Sequence, residues 1–247
     1  MALRIRGILF DLGDTLLDFG PVDARTLFES GGRLAYAYLE KLGQPLPSFA
    51  KYHRRQLWAV RWNYVKSRLT RREFNALDLI GRLSRRMGQR LTASQMLELA
   101  WLWYKPLRDC AVAEEGLREL LEGFKDRGLI LGLISNTFIP GEVLDRHLRQ
   151  ENLLDVLPVR VYSCDVQYRK PDPNIFIIAL ERAGLLPEET LFVGDSLWAD
   201  VDGANRTGMI SVLKDPAGRE GNSRILPRHR IAHLAELKSI VATYDER

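Results

Sequence analysis

Carboxylates follow two apolar runs of this sequence that have the character of buried strands. Asp11 comes directly after the first run, and Asp195 and Asp200 come after a later one. A carboxylate can bind a divalent cation and can also attack phosphorus as a nucleophile. Such an attack needs a cation and a positioned ammonium, because the two anionic groups repel each other. Lys170 supplies a candidate ammonium.

A hydroxyl and an amide follow a third apolar run. Ser135 and Asn136 stand after residues 129–134, and the Ser135 hydroxyl with neighbouring backbone N–H groups can donate to phosphoryl oxygens. Each signal taken alone is typical of a turn or a helix cap. Their occurrence together, each just past a predicted strand, favours one catalytic crevice over four unrelated turns.

Apolar periodicity predicts the elements that position these residues. Strands are predicted at about residues 5–10, 129–134, 159–162, 190–193 and 210–213. Helices are predicted between them, near residues 114–126, 141–150, 174–184 and 199–207. This alternation predicts an α/β fold with a Rossmann-like, doubly wound parallel sheet, in which ligands bind at the carboxyl ends of the strands. Asp215–His229 is predicted to be a surface loop.

A helical segment interrupts the α/β pattern after the first strand. Residues of about 23 to 104 carry apolar side chains at helical spacing, which predicts about four helices. We therefore predict a core made of residues 1–20 and 106–247, with an all-helical domain at residues 21–105. Hinges are expected near Phe19-Gly20-Pro21 and Lys105-Pro106.

In their order and spacing, these motifs resemble the haloacid dehalogenase-like hydrolase superfamily. The likeness is to its phosphatase-type subfamily with a helical cap between the first two motifs. The segment VGDSLWADVDGANRTGM at 193–209 is its most specific part. The resemblance covers nearly the whole chain and implies a phosphohydrolase that acts on a small phosphorylated metabolite, with the cap closing over the site.

The resemblance also implies roles for individual residues. Asp11 would form an aspartyl-phosphate, and Mg²⁺ would be held by Asp11, Asp195 and the backbone carbonyl of Gly13. Asp200 would support the metal shell. The transferring phosphoryl group would be bound by Ser135, Asn136 and Lys170.

Gly13 departs from the pattern that the resemblance implies. Most phosphatases of this kind carry there a second Asp, which protonates the leaving alcohol and then activates water. One hypothesis gives this role to Asp14 through a shifted loop, although capping the turn beneath Thr15 is the more favoured role for that side chain. In a second, the leaving group needs little protonation, as in an acyl or aryl phosphate. In a third, the protein is a weak or non-catalytic phosphate-binding member.

Two other reactions in the same superfamily are less favoured by the motifs. Dehalogenation uses an Asp nucleophile without a metal, whereas the arrangement from Asp195 to Asp200 is typical of the metal-binding phosphatases. Phosphonate cleavage needs a Schiff-base lysine in the cap, and Lys51 and Lys66 are unconvincing candidates.

Composition agrees with a globular protein whose ligands are anionic, and phosphate esters fit as well as nucleic acid. The net charge of +4 and the isoelectric point near 9.1 favour anionic ligands without demanding a polyanion. Cys110 and Cys164 lack a disulfide or metal-binding pattern, and His53 and His147 lack metal-ligand spacing. No segment has the pattern of a signal peptide or the roughly 20 apolar residues of a membrane span, which predicts a cytoplasmic location.

Arginines alternate with aromatic residues in the helical segment, and this pattern has two interpretations. An Arg-rich, aromatic surface can bind nucleic acid. Arginines at helical spacing more commonly form a solvated face, with the aromatic side chains in the core of the cap. We therefore expect no nucleic-acid partner and no membrane, and a monomer or homodimer.

Overall fold

A parallel sheet forms the centre of the molecule. The computed structural model describes residues 4–218 and 224–245. The strands in these ranges are β1 (Gly7–Phe10), β2 (Leu17–Asp18), β3 (Val112–Ala113), β4 (Ile130–Ser135), β5 (Val159–Tyr162), β6 (Thr190–Gly194), β7 (Ile210–Lys214) and β8 (His229–Ile231). Six of them form one parallel sheet in the order β5-β4-β1-β6-β7-β8, and β2 pairs with β3 in a separate antiparallel ribbon.

Helices cover both faces of this sheet. The described α-helices are α1 (Ala24–Lys41), α2 (Phe49–Thr70), α3 (Ala76–Arg86), α4 (Ala93–Arg108), α5 (Leu117–Asp126), α6 (Gly141–Gln150), α7 (Ser163–Val166), α8 (Pro173–Ala183), α9 (Asp202–Thr207) and α10 (Leu237–Asp245). Side chains of α5, α6 and α10 share a core cluster with Ile8 and Phe10, whereas those of α8 and α9 share one with Leu9. Because successive strand residues point to opposite faces, this division confirms the predicted doubly wound α/β sheet.

The central strands are apolar throughout because both of their faces are covered. Every residue of β1 and β6 is buried. β1 lies between β4 and β6, with Leu9 opposite Gly132 on one side and Phe192 on the other. Such strands appear in a sequence as continuous apolar runs without alternation, and these runs are the signal that predicts them.

The helices α1 to α4 lie between β2 and β3 and are called the helical insertion below. Their number agrees with the sequence prediction. Asn75 caps α3 through its side chain, and Thr92 and Gln95 form a capping box at the start of α4. α4 runs through Pro106 to Arg108, so the expected hinge at Lys105-Pro106 lies inside a helix. The division into residues 21–105 and the remainder stays a prediction.

Short elements escaped the sequence analysis. The strands β2, β3 and β8 have only two or three residues each, too few to show a periodic pattern, and α10 was also not predicted. The expected loop at 215–229 falls partly on residues 219–223, outside the described residues, and its last residue, His229, begins β8. None of the described helices has both the length and the apolar character that a membrane span requires.

Candidate active site

Three carboxylates and one ammonium meet at the carboxyl edge of the sheet. Asp11 follows β1, and Asp195 and Asp200 follow the neighbouring strand β6. One carboxylate oxygen from each Asp lies within 4.8 Å of the other two. The Nζ atom of Lys170 lies 2.5 Å from Asp11 Oδ1 and 2.7 Å from Asp200 Oδ1. The structure thus brings together four of the predicted site residues.

The negative charge of this group exceeds its positive charge. Burial raises the pKa of Asp11 to about 7, against the lowering effect of Lys170. Burial and the neighbouring Asp200 charge raise the pKa of Asp195 to about 6. The pKa of Lys170 is raised, because Asp11 and Asp200 outweigh the opposing effect of its own burial. When ionised, the three carboxylates carry two more negative charges than Lys170 offsets, and their oxygens fit a divalent cation such as Mg²⁺.

The turn after β6 holds Asp200 against the backbone. Asp200 Oδ2 accepts a hydrogen bond from the Ser196 N–H at 3.0 Å, and Ser196 Oγ accepts one from the Ala199 N–H at 3.1 Å. A Cβ atom on Gly194 would lie only 2.4 Å from Asp200 Cγ. Position 194 therefore has no room for a side chain while Asp200 keeps this place.

In the loop after β1, Gly13 and Asp14 have different surroundings. Asp14 is exposed at a φ of 55°, and its Oδ1 accepts a hydrogen bond from the Phe19 N–H at 3.3 Å. This is a turn-capping role, and Asp14 is not among the described residues that line the active-site cavity. A Cβ atom on Gly13 would make an ordinary contact of 3.5 Å with Phe19 Cε2, so position 13 has room for the first atom of a side chain. The acid–base role for Asp14 stays a prediction, and its side-chain contact does not favour it.

Asn136 holds the backbone of Lys170 in place through hydrogen bonds at both ends of its side-chain amide. Its Oδ1 accepts a hydrogen bond from the Lys170 N–H at 2.7 Å, and its Nδ2 donates to the Lys170 carbonyl at 3.0 Å. With both ends of the amide engaged, a phosphate contact from Asn136 would come from its backbone N–H. Ser135, the last residue of β4, lines the cavity, and its role as a phosphate-binding hydroxyl stays a prediction.

A buried polar cluster beside Lys170 links the helical insertion to the core. The Glu73 side chain is fully buried, forms an ion pair with Arg169, and accepts hydrogen bonds from Ser67 Oγ at 2.9 Å and Ser163 Oγ at 3.2 Å. Sequence reasoning missed this cluster, although Glu73 is the only acidic residue between Glu40 and Asp78. An isolated acid in a basic segment is the signal that could have indicated it.

Lys214 is a second basic residue that the sequence analysis missed. It lies at the end of β7, donates to the Thr15 carbonyl at 2.8 Å, and pairs with Glu114 at 2.7 Å. Its buried side chain therefore anchors the loop that carries Gly13.

A cavity of about 510 Å³ extends from Asp11 into the helical insertion. The core contributes polar residues at its floor, including Ser135, Lys170 and Asp195. The insertion contributes mainly apolar and aromatic side chains from all four of its helices. Substrates would therefore meet a polar floor and an apolar roof.

The remaining candidates divide between surface and core. Tyr52 is buried, but Trp58 and Trp62 are each 69% exposed, so the expectation that the aromatic residues of the insertion form its core is wrong for these two. They face outward because α2 packs only one side against its neighbours. His147 is buried and bonded to Tyr104 Oη at 2.8 Å, so it is a polar residue of the core.

Comparisons with known proteins identify the family. A family model described as haloacid dehalogenase-like hydrolase matches residues 5–208. The chain belongs to the haloacid dehalogenase-like hydrolases. A glyceraldehyde 3-phosphate phosphatase of Pyrococcus furiosus is 29% identical over 210 residues, which cover 85% of this chain and 80% of that protein. A solved phosphatase of this superfamily from Thermococcus onnurineus is 26% identical, has a TM-score of 0.60, and is matched over 96% of this chain and 98% of that one.

Relatives of this haloacid dehalogenase-like hydrolase do not all break the same bond. An (S)-2-haloacid dehalogenase 4A of Burkholderia cepacia is 32% identical over 125 residues, which are 50% of this chain and 53% of that protein. The chain thus spans about half the length of that relative. Family membership establishes a hydrolase with phosphatase relatives, and the geometry of the site must decide the reaction.

Proposed function

We propose that this protein is a Mg²⁺-dependent phosphohydrolase that acts on a small phosphorylated molecule through an aspartyl-phosphate on Asp11. The observation that supports this most strongly is the gathering of Asp11, Asp195 and Asp200 around one edge of the sheet, with Lys170 in contact with two of them. Hydrolysis without a metal would leave two of these buried charges uncompensated during attack on an anion.

Each residue of this group has a part in the first step. Asp11 Oδ attacks phosphorus, and the bond from phosphorus to the ester oxygen breaks with its electron pair on that oxygen. Lys170 and the Ser135 hydroxyl hold the phosphoryl oxygens, where charge is spread in the transition state. Mg²⁺ held by Asp11, Asp195 and the Gly13 carbonyl, with Asp200 in support, would neutralise negative charge on the transferring group. Asn136 keeps Lys170 in place through its two backbone hydrogen bonds.

The second step regenerates the enzyme. Water attacks the phosphorus of the aspartyl-phosphate, the bond from phosphorus to Asp11 Oδ breaks, and inorganic phosphate leaves. Gly13 offers no side chain to protonate the leaving alcohol or to activate this water. Because a positioned acid–base group is worth about 10²- to 10⁴-fold, the site retains catalysis without it.

Phosphate release tests the proposal directly. We expect release from a panel of alkyl, aryl and acyl phosphates that requires Mg²⁺ and is abolished in Asp11→Asn. Asp126→Asn is the matched control, since Asp126 lies exposed at the end of α5, away from the site. A folded protein that binds Mg²⁺ but releases no phosphate from any of these substrates would instead support a phosphate-binding role.

Dehalogenation is the second candidate, favoured by the 32% identical relative and by the apolar roof of the cavity. Halide release from 2-chloropropionate, measured with EDTA present, separates the two reactions. Turnover that persists without a metal would support the dehalogenase and contradict the phosphohydrolase.

A further inference from the structure

The wall of the cavity that faces Asp11 from the helical insertion is apolar. Its side chains include Phe28 from α1, Val60 from α2, Leu79 and Ile80 from α3, and Trp103 from α4. Covering this wall with an apolar group removes hydrocarbon surface from water. The gain in affinity is about fourfold for each buried methylene. A polyol phosphate would instead place hydroxyl groups against carbon and lose their hydrogen bonds to water.

The described lining of the cavity also offers no unpaired cationic side chain that could bind a second anionic group. Among the described lining residues, only Arg169 and Lys170 carry a positive side chain. Arg169 is paired with the buried Glu73, and Lys170 with Asp11 and Asp200. A carboxylate on the organic part of the substrate would be buried without a counter-charge. The organic part that fits is therefore uncharged.

One polar side chain in this wall lacks a partner. Gln56 on α2 is only 8% exposed, lines the cavity, and makes no hydrogen bond within the described part of the chain. By contrast, Tyr64 accepts from Arg68, and Tyr104 bonds to His147. Neither polar atom of its carboxamide is sealed from solvent, so the group stays free to bond to a molecule that enters the cavity. Gln56 can thus recognise a hydroxyl or carbonyl on the substrate.

The missing acid at position 13 restricts the leaving group independently of the cavity wall. A phenol loses its proton near pH 10, as the tyrosine side chain does, whereas water has a pKa of about 15.7 and simple alcohols are similarly weak acids. A phenolate can therefore leave without a proton donor, and an alkoxide cannot leave easily. The missing acid at position 13 and the apolar wall thus both favour a substrate with an apolar organic part and an acidic leaving group.

We propose that the substrate is an aryl phosphate, the phosphate ester of an uncharged phenol, with one hydrogen-bonding substituent that meets the Gln56 carboxamide. This inference rests on the proposed phosphohydrolase function. The bond from phosphorus to the phenolic oxygen breaks with its electron pair on that oxygen, and the phenolate then takes a proton from solvent. Asp11 carries the phosphoryl group until water displaces it.

Four substrates separate the effect of the leaving group from the effect of the apolar wall. Phenyl phosphate has an apolar body and an acidic leaving group, and benzyl phosphate has an apolar body and an alkoxide leaving group. Acetyl phosphate and glycerol 1-phosphate are their small or polar counterparts. With Mg²⁺, we expect kcat/KM for phenyl phosphate to exceed that for benzyl phosphate by about 100-fold or more, as a missing acid predicts. We expect benzyl phosphate to exceed glycerol 1-phosphate by about tenfold or more, as the apolar wall predicts.

Gln56 is tested with hydroxyphenyl and methylphenyl phosphates substituted at the ortho, meta and para positions. The wild type should prefer one hydroxyphenyl isomer over its methyl analogue by about tenfold or more, because the methyl group would displace water from the Gln56 carboxamide without replacing its hydrogen bond. Gln56→Leu should abolish or reverse this ratio, and Gln150→Leu, on the exposed end of α6, should retain it. The wild-type ratio alone tests the proposal if Gln56→Leu does not fold.

The possible failures are distinguishable. Asp11-dependent turnover that favours glycerol 1-phosphate over the aryl esters would overturn the substrate assignment and leave the phosphohydrolase intact. Equal rates for every hydroxyl and methyl pair would remove the role of Gln56. No Asp11-dependent turnover of any of these phosphates, acetyl phosphate included, would overturn the phosphohydrolase and, with it, the substrate assignment.

Discussion

The ion pair between Glu73 and Arg169 is expected to stabilise the contact between the helical insertion and the core. The Glu73 side chain is fully buried and that of Arg169 is 17% exposed. Glu73→Gln keeps the shape of the side chain but leaves the guanidinium without a counter-charge. Breaking one side of a buried pair costs about 3–5 kcal/mol, and the partial exposure of Arg169 places the expected loss near the lower limit.

A double-mutant cycle measures this coupling. Glu73→Gln and Arg169→Met should each lower the free energy of unfolding by about 3 kcal/mol, since each leaves one buried charge. The double variant should lose much less than the sum of the two, because neither charge remains. Urea unfolding at pH 7, followed by circular dichroism, gives all four values.

An exposed ion pair in the same protein serves as the control. Arg118 and Asp155 approach to 2.7 Å, with side chains that are 32% and 61% exposed. Solvent screens such a pair, so Asp155→Asn should cost no more than about 1 kcal/mol. A cost of Glu73→Gln as small as that of Asp155→Asn, or additive effects of the two variants at the buried pair, would contradict the predicted coupling.

Three further predictions concern the site and the core. Gly194→Ala would place a Cβ atom 2.4 Å from Asp200 Cγ and should lower Mg²⁺ affinity by about 10- to 100-fold in calorimetric titrations. Gly123→Ala, where no atom lies within 4 Å, should leave that affinity unchanged. Burial lowers the pKa of His147 to about 4. The unfolded chain therefore binds the additional proton between about pH 6.5 and pH 4, and stability should fall by up to about 3 kcal/mol as the pH is lowered through that range. His147→Gln should remove that part of the pH dependence, and an unaltered unfolding profile would contradict it. Gly13→Asp should raise kcat for benzyl phosphate by about 10²-fold or more, and phenyl phosphate by less than tenfold, because only the alkoxide needs a proton donor. Equal gains on both esters would contradict this.

The sheet and the floor of the site were predictable because strand order decides both. Asp11, Ser135 and Asp195 each follow a continuous apolar run, and parallel strands end at the same edge of a sheet. Identification of the strands was therefore enough to predict that these residues lie close together. No distance between side chains had to be inferred.

The buried polar cluster beside Lys170 could not be predicted in the same way. Glu73 and Arg169 are separated by 96 residues, and each lies outside the regular elements. Their contact depends on how α2 and α3 are oriented over the core, which no periodicity in the sequence encodes. The same is true of Gln56, whose helix shows polar residues on several sides and gives no indication of which one faces the cavity.

In the proposed mechanism, catalysis and substrate selection thus depend on different parts of the chain. The groups proposed to act on phosphorus follow strand ends, whose positions are fixed by hydrogen bonding between neighbouring strands, as for Asp11 after β1 and Asp195 after β6. The groups proposed to meet the rest of the substrate come from helix faces, such as Gln56 on α2 and Trp103 on α4. A substitution on those faces changes the organic group that fits without moving a carboxylate. Relatives that share the floor of this site can therefore act on different molecules, and the named relatives of this chain do carry different activities.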